Sequence, residues 1–415
     1  MNEKSLKYQI DTKENKRFLK DIREELFRFG RSFPSPGGSA YYLGSDGIPW
    51  KERNRETWIT SRMVHVYSLA SLLGYTEYED LIDAGVRGLT GELHDDESGG
   101  WYAGLTPDGG ILPDKQCYAH AFVILAASSA VLAGRPGARE LLEEACRLYD
   151  LRFWNEEEGL SCDTWNTDFT VMDDYRGLNA NMHTVEAFLA AADAAGKDQY
   201  RVRAGRIIGR VAGWAEENAW RIPEHFTKDW RADLECGRER PDDQFKPYGA
   251  VPGHGFEWAR LMVQWALSTG LENQELISRY VEISENLFCR AAKDAWNADG
   301  APGVVYTTDW NGRPVVHDRM HWTLAEGINT SGVLFHITKK QKYADLYAQF
   351  MQYLDEKVLD HVNGSWLSQL DRRNRPIDTV WPGKPDLYHA VQATLIPYYD
   401  ADISIASAIQ KGKRL

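Results

Sequence analysis

The sequence predicts an all-α protein, an (α/α)6 barrel with short β-hairpins on one face. Three observations predict it. An aromatic, turn-rich hairpin motif recurs six times, two helical stretches separate successive copies, and the copies keep a nearly constant spacing. The copies are Ser39–Pro49, Gly100–Pro113, Gly159–Val171, Arg221–Asp233, Gly303–Val316 and Gly364–Asp378. Anchored on Tyr42, Tyr102, Cys162, Glu224, Tyr306 and Leu367, they lie 60, 60, 62, 82 and 61 residues apart. The one long interval marks an insertion, Leu234–Gly249, rich in charge, Gly and Pro and expected to cover the barrel mouth as a lid.

The helices follow in order. Asn15–Gly30 has a helical period and is expected to supply the second helix of the last repeat, which closes the ring. Trp58–Leu73 pairs with Asp80–Leu93, and Gln116–Leu132 with Ala138–Leu151. Asn181–Ala194 precedes Tyr200–Glu217, Phe256–Ser268 precedes Gln274–Ala292, and His321–Ile337 precedes Lys342–Val358. Each has apolar residues at three- and four-residue spacing, with Gly, Pro or Asp near its ends. No linker interrupts the series, so residues 1–415 read as one catalytic domain.

Composition narrows the class of partner. Of 415 residues, 43% are apolar and 26% charged, enough for a large core in an ordinary globular protein. A net charge of −13 argues against nucleic acid and anionic membranes as partners. The five cysteines are odd in number and form no Cys-x-x-Cys pair, so neither a disulfide framework nor a thiolate zinc site is expected. Met1–Lys16 is polar and lacks a signal-like apolar core. The longest apolar stretch, Ala119–Gly134, falls short of the roughly 20 residues of a spanning helix. A cytoplasmic setting and a small-molecule partner are the expectation, compatible with a monomer or a homo-oligomer.

Counting forward from each anchor reaches an ionisable residue early in the next helix: Arg62, His120, His183, His254, Glu326 and His389. If the ring is right, these groups converge on one central cavity. A closed helical core would hold apolar residues there, because each buried polar group without a partner costs about 1–3 kcal/mol. Four histidines suit proton transfer near neutral pH. His254 and Glu257, like His183 and Glu186, are three apart and share a helix face. Such His-x-x-Glu pairs can ligate iron or zinc, but His-Glu-x-x-His is absent, and no metal is expected. Walker, G-x-G-x-x-G and Gly-x-Ser-x-Gly motifs are also absent, so phosphate cradling and a nucleophile elbow have no support. Glu257 and Glu326 could form a glycosidase pair, which would leave the histidines unused.

Several segments resemble the N-acylglucosamine 2-epimerase superfamily, particularly its aldose–ketose isomerase branch. They are Thr57–Tyr67 (TWITSRMVHVY), Gly99–Tyr102 (GGWY), Tyr175–Phe188 (YRGLNANMHTVEAF), Pro252–Met262 (PGHGFEWARLM) and Asp386–His389 (DLYH). The resemblance runs from about Phe18 to Tyr398 and implies an (α/α)6 barrel acting on a monosaccharide without cofactor or metal. It places the acid/base pair on His254 and His389. It places binding or charge-stabilising roles on Arg62, Tyr118, Asn179, His183, Glu257, Trp322, Glu326 and Trp381, with Trp58 and His120 as further wall residues. On the helix-face spacing, Glu257 is expected to orient His254, with His389 as the C2/C1 base. Members acting on sulfoquinovose hold the sulfonate with an Arg and a Gln; the matching positions here are Gln244 and Ser368. Without that guanidinium, a neutral sugar is the expected substrate. The implied reaction is D-mannose to D-fructose, with D-lyxose to D-xylulose beside it, through a cis-enediolate. Alternatives are a 2-epimerase converting mannose to glucose, a sulfoquinovose isomerase, an N-acylglucosamine 2-epimerase and a non-catalytic sugar-binding protein.

Overall fold

A computed structural model describes residues 3–415. After a short turn, α1 (Glu3–Leu6), the long helix α2 (Lys13–Gly30) starts under a Thr12 cap, whose side chain accepts from the Asn15 amide. Pairs then follow: α3 (Thr57–Leu72) with α4 (Glu79–Thr90), α5 (Cys117–Leu132) with α6 (Ala138–Arg152), and α7 (Leu178–Ala195) with α8 (Asp198–Glu217). The next pairs are α9 (Pro252–Ser268) with α10 (Gln274–Ala295) and α11 (His321–Thr338) with α12 (Gln341–Tyr353). The sixth inner helix, α13 (Tyr388–Ala393), packs against α11, α3 and α2, so the N-terminal helix does complete the last repeat. This is the predicted (α/α)6 ring.

The two layers differ as their positions require. The inner helices α3, α5, α7, α9 and α11 are buried on nearly every side, because outer helices flank them and the barrel axis faces them. The outer helices bury one stripe and expose the other. Three details depart from the sequence reading. The last outer helix ends at Tyr353 and passes into a π turn, Leu354–Val358. The sixth inner helix has only six residues and is followed by a 3-10 turn at Ile396–Tyr398, where Pro397 lacks an amide to continue it. A further short helix, α14 (Ile405–Gln410), packs across α3, α5 and α7.

The hairpins form a collar that fixes the inner helices in place. The residues before each inner helix pair with the next repeat's hairpin: Arg55 with Leu105, Lys115 with Trp165, Arg176 with Phe226, Ala250 with Thr308, and Arg319 with Leu370. The Lys384 amide donates to the Leu43 carbonyl at 3.0 Å and joins the last repeat to the first. All six inner helices therefore present their N-terminal, positive dipole ends to the same side. No helix among the described residues is long and apolar enough to cross a membrane.

Candidate active site

A cavity sits at those N-terminal ends. Arg62 comes from α3, Tyr118 from α5, Asn179 and His183 from α7, and His254 and Glu257 from α9. His321 and Trp322 open α11, while Asp386 and His389 flank the start of α13. Tyr306 and Trp381 add aromatic wall, and Gln244, Phe245 and Pro247 of the insertion close the top. Phe245 meets Trp58, Tyr118 and Trp381 edge-on and separates this cavity from a roomier one of about 420 Å³. The free volume beneath Phe245 is about 30 Å³, the room of a water molecule or two. A hexose enters only if this cover or the wall shifts.

Two imidazoles are held alike. His389 donates from Nδ1 to Glu326 Oε1 at 2.9 Å, and His254 from Nδ1 to Glu224 Oε2 at 2.9 Å. An ionised carboxylate only accepts, so it places the proton on Nδ1 and leaves Nε2 with a free lone pair. Both rings pack against Trp322, with centroids 5.0 Å (His254) and 5.9 Å (His389) from it. Gly253 makes this packing possible, since a Cβ there would come within 2.5 Å of the Trp322 ring. Burial, together with the Arg62 charge, holds His389 well below the usual imidazole range.

Below them lies a tier of charge one helical turn deeper. Arg260 contacts three carboxylates: Nε lies 3.2 Å from Glu326 Oε2, and Nη2 lies 3.6 Å from Glu257 and 3.9 Å from Glu186. Glu257 is 1% exposed and neither oxygen has a hydrogen-bond partner. Burial, reinforced by the Glu326 charge, pushes its proton affinity well up, against the opposing pull of Arg260. Burial pushes Glu186 the same way, but His183, Arg260 and the Tyr388 hydroxyl outweigh it and keep Glu186 ionised. His183, Glu186 and Glu257, and likewise Glu257, Glu326 and His389, bring ligand-type atoms within 4.8 Å of one another. The Arg260 guanidinium already supplies positive charge to both triads, and a divalent ion beside it would be repelled. The donor set does not fit a metal.

The model of N-acylglucosamine 2-epimerase (GlcNAc 2-epimerase) matches residues 37–393. The chain belongs to this family. A D-mannose isomerase of Pseudomonas cannabina pv. alisalensis is 43% identical over 354 residues, which cover 85% of each chain. One of Thermobifida fusca is 40% identical over 387 residues, covering 92% of this chain and 94% of the relative. A crystal structure of D-mannose isomerase superposes with a TM-score of 0.84 at 27% identity, covering 94% of this chain and 98% of that one.

Most residues expected from the family resemblance converge, but four do not behave as expected. His120 faces away from the cavity: its Nε2 accepts from the Trp101 amide at 3.2 Å, its Nδ1 donates to the Gln116 carbonyl at 2.7 Å, and its ring packs on Phe153. It is a satisfied structural histidine that burial holds at about 3, and Tyr118, two residues earlier, is the cavity residue of α5. Glu326 is wholly enclosed behind His389 and does not line the cavity, so it positions the imidazole and does not touch the sugar. His254 is oriented by Glu224, not by Glu257, because helical spacing puts Glu257 one turn deeper.

Arg62 does line the cavity, but Asp386 at 3.0 Å and the Tyr118 hydroxyl at 2.9 Å engage it, and Trp58 lies against its face. Trp58 itself lines the neighbouring cavity. Gln244 lines the catalytic cavity, whereas Ser368 donates to the Gly383 carbonyl at 2.6 Å and does not. The site residues not picked out from sequence are Glu224, Arg260, His321, Tyr306 and Asp386. Glu224 was visible only as a hairpin anchor; the i+3 spacing from Glu257 was the one available signal for Arg260.

Glu224→Ala is expected to lower the turnover number by about 10²-fold with a much smaller change in KM, because the His254 tautomer is no longer fixed. Steady-state kinetics on D-mannose check this; a pure KM effect would assign Glu224 to substrate binding.

Proposed function

We propose that the protein is an aldose–ketose isomerase that interconverts unphosphorylated D-mannose and D-fructose. The observation that carries this reading is the pair of carboxylate-held imidazoles, His254 and His389, both packed near Trp322 and lining one cavity. The two relatives at 43% and 40% identity, both named D-mannose isomerases, support the choice of sugar.

In open-chain mannose the C1 carbonyl acidifies the C2 hydrogen. His389 Nε2 takes that proton, the C1–C2 double bond forms, and the carbonyl electron pair moves to O1, giving a cis-enediolate. His389 then returns the proton to C1 while the hydroxyl proton on O2 passes to O1 by way of His254, leaving the C2 ketone. The negative charge on oxygen is met by the inner-helix N-termini, in a site with little water to reorganise. The buried Arg62–Asp386 pair offers N–H groups with little net charge, which suits a neutral sugar.

Incubation of D-mannose in D2O, followed by NMR, tests this reading. Fructose is the expected product, with deuterium at C1 to the extent that the proton held by His389 exchanges with solvent; glucose as the main product would make the protein a 2-epimerase, and no turnover would leave it a sugar-binding protein. Activity is expected to persist after exhaustive chelation.

A further inference from the structure

We propose that the protein carries a binding site for phosphoryl-bearing small anions at the barrel end opposite the catalytic cavity. The proposal stands apart from the sugar reaction. A cavity of about 430 Å³ lies between the first half of α2 and the C-terminal ends of α3 and α13. Five cationic side chains line it: Lys16, Arg17, Lys20, Arg23 and Arg414. No Asp or Glu side chain lines it, in a chain of net charge −13; Leu415, which bears the terminal carboxylate of this chain, also lies on the wall but makes no ion pair with the cations there.

These cations are poorly neutralised. Among the described residues, only Lys20 has a carboxylate partner, Glu24 at 3.2 Å. Elsewhere the enclosed cations Arg62, Lys115, Arg260, Arg319 and Lys384 each rest on a carboxylate, whereas Arg176 donates to the Asp173 and Tyr175 carbonyls. Arg23 is half-buried, its Nη1 donates to the Thr394 carbonyl at 3.1 Å, and its Nε is enclosed without a partner. Burial, aided by Arg414, lowers its proton affinity and outweighs the opposing pull of the Glu24 carboxylate, with which it makes no ion pair. Lys16 lies over the Tyr398 ring at 4.9 Å, and Arg414 Nε donates to the Tyr399 hydroxyl at 3.1 Å, so aromatic side chains hold two of the cations in place.

One role for cations here is to cap the C-terminal carbonyls of α3 and α13. Among the described residues only Arg23 makes such a bond, which leaves the other cations unexplained by capping. Three guanidinium forks with two ammonium groups around one concavity match the several oxygens of a phosphoryl group better than a single carboxylate.

Isothermal titration with inorganic pyrophosphate, and separately with mannose 6-phosphate, tests the proposal. The expected result is one saturable site per chain for pyrophosphate that weakens steeply with salt. The double variant Lys16→Glu/Arg17→Glu, both residues being exposed and remote from the catalytic cavity, is expected to lower that affinity at least about tenfold and leave mannose turnover unchanged. Tighter binding of mannose 6-phosphate would assign the site to sugar phosphates, equal or weaker binding to free phosphate species. Absence of binding to the wild type, unchanged affinity in the double variant, or displacement of pyrophosphate by D-mannose would each overturn the proposal. Thermal melting of the double variant establishes that it is folded, and Lys16→Gln/Arg17→Gln serves in its place if it is not.

Discussion

Replacing His389 with Asn is expected to lower mannose turnover by about 10²- to 10⁴-fold, the usual range for a lost general base. The amide can still meet Glu326, so packing and the charge tier below survive, but no basic atom remains where Nε2 faces the cavity. Loss of C2–H exchange with D2O, read by NMR in parallel with turnover, attributes the effect to proton abstraction; undiminished exchange would sink the assignment. A pH dependence follows from the same environment. Because burial and Arg62 hold His389 well below 6.5, it stays neutral and basic as the pH falls through 6.5, and only further acidification removes the base. A plot of kcat/KM against pH should therefore stay level between pH 7 and 6. An acid limb centred near 6.5 would mean that another group limits the reaction.

Arg260→Met is expected to cost about 3–5 kcal/mol of folding stability, as for a buried ion pair stripped of one partner. The guanidinium is the common counter-charge of Glu186, Glu257 and Glu326, all 6% exposed or less, and Met fills much of its volume without its charge. The midpoint of urea unfolding measures the loss. Its pH dependence separates charge from packing. Without Arg260 the folded carboxylates bind protons more tightly, so their folded-state pKa values rise and protonation relieves them. The deficit should thus be largest at pH 8 and shrink toward pH 5, whereas a packing defect would be independent of pH. The same variant is expected to lose turnover, because Glu326 and through it His389 are no longer held.

Much of this was legible in the sequence because the architecture repeats. The hairpin spacing revealed the ring, the one irregular interval marked the segment that lies over the cavity, and the position after each hairpin found Arg62, His183, His254 and His389. The rule failed where an inner helix turns its residues differently. On α5 the count reached His120, although Tyr118 faces the axis, because helical phase and not sequence distance decides which side chain points inward. Glu224 was hidden for another reason. It lies on the hairpin across the insertion from His254, and an ion pair that spans the insertion has no local sequence signature. The short α13 escaped because its backbone turns at Pro397 before a helical period can build up.

The collar has a consequence for how the protein is made. Each repeat is tied to the next, and the last is tied back to the first through Lys384 and Leu43. His389 lies on α13, beyond that closing link, and its neighbours α2 and α3 are synthesised first. A chain still emerging from the ribosome thus keeps the inner faces of α2 and α3 uncovered on that side until α13 has been made. The final docking step shields that apolar surface and installs the second imidazole together, so catalytic competence and protection from aggregation arrive in one event.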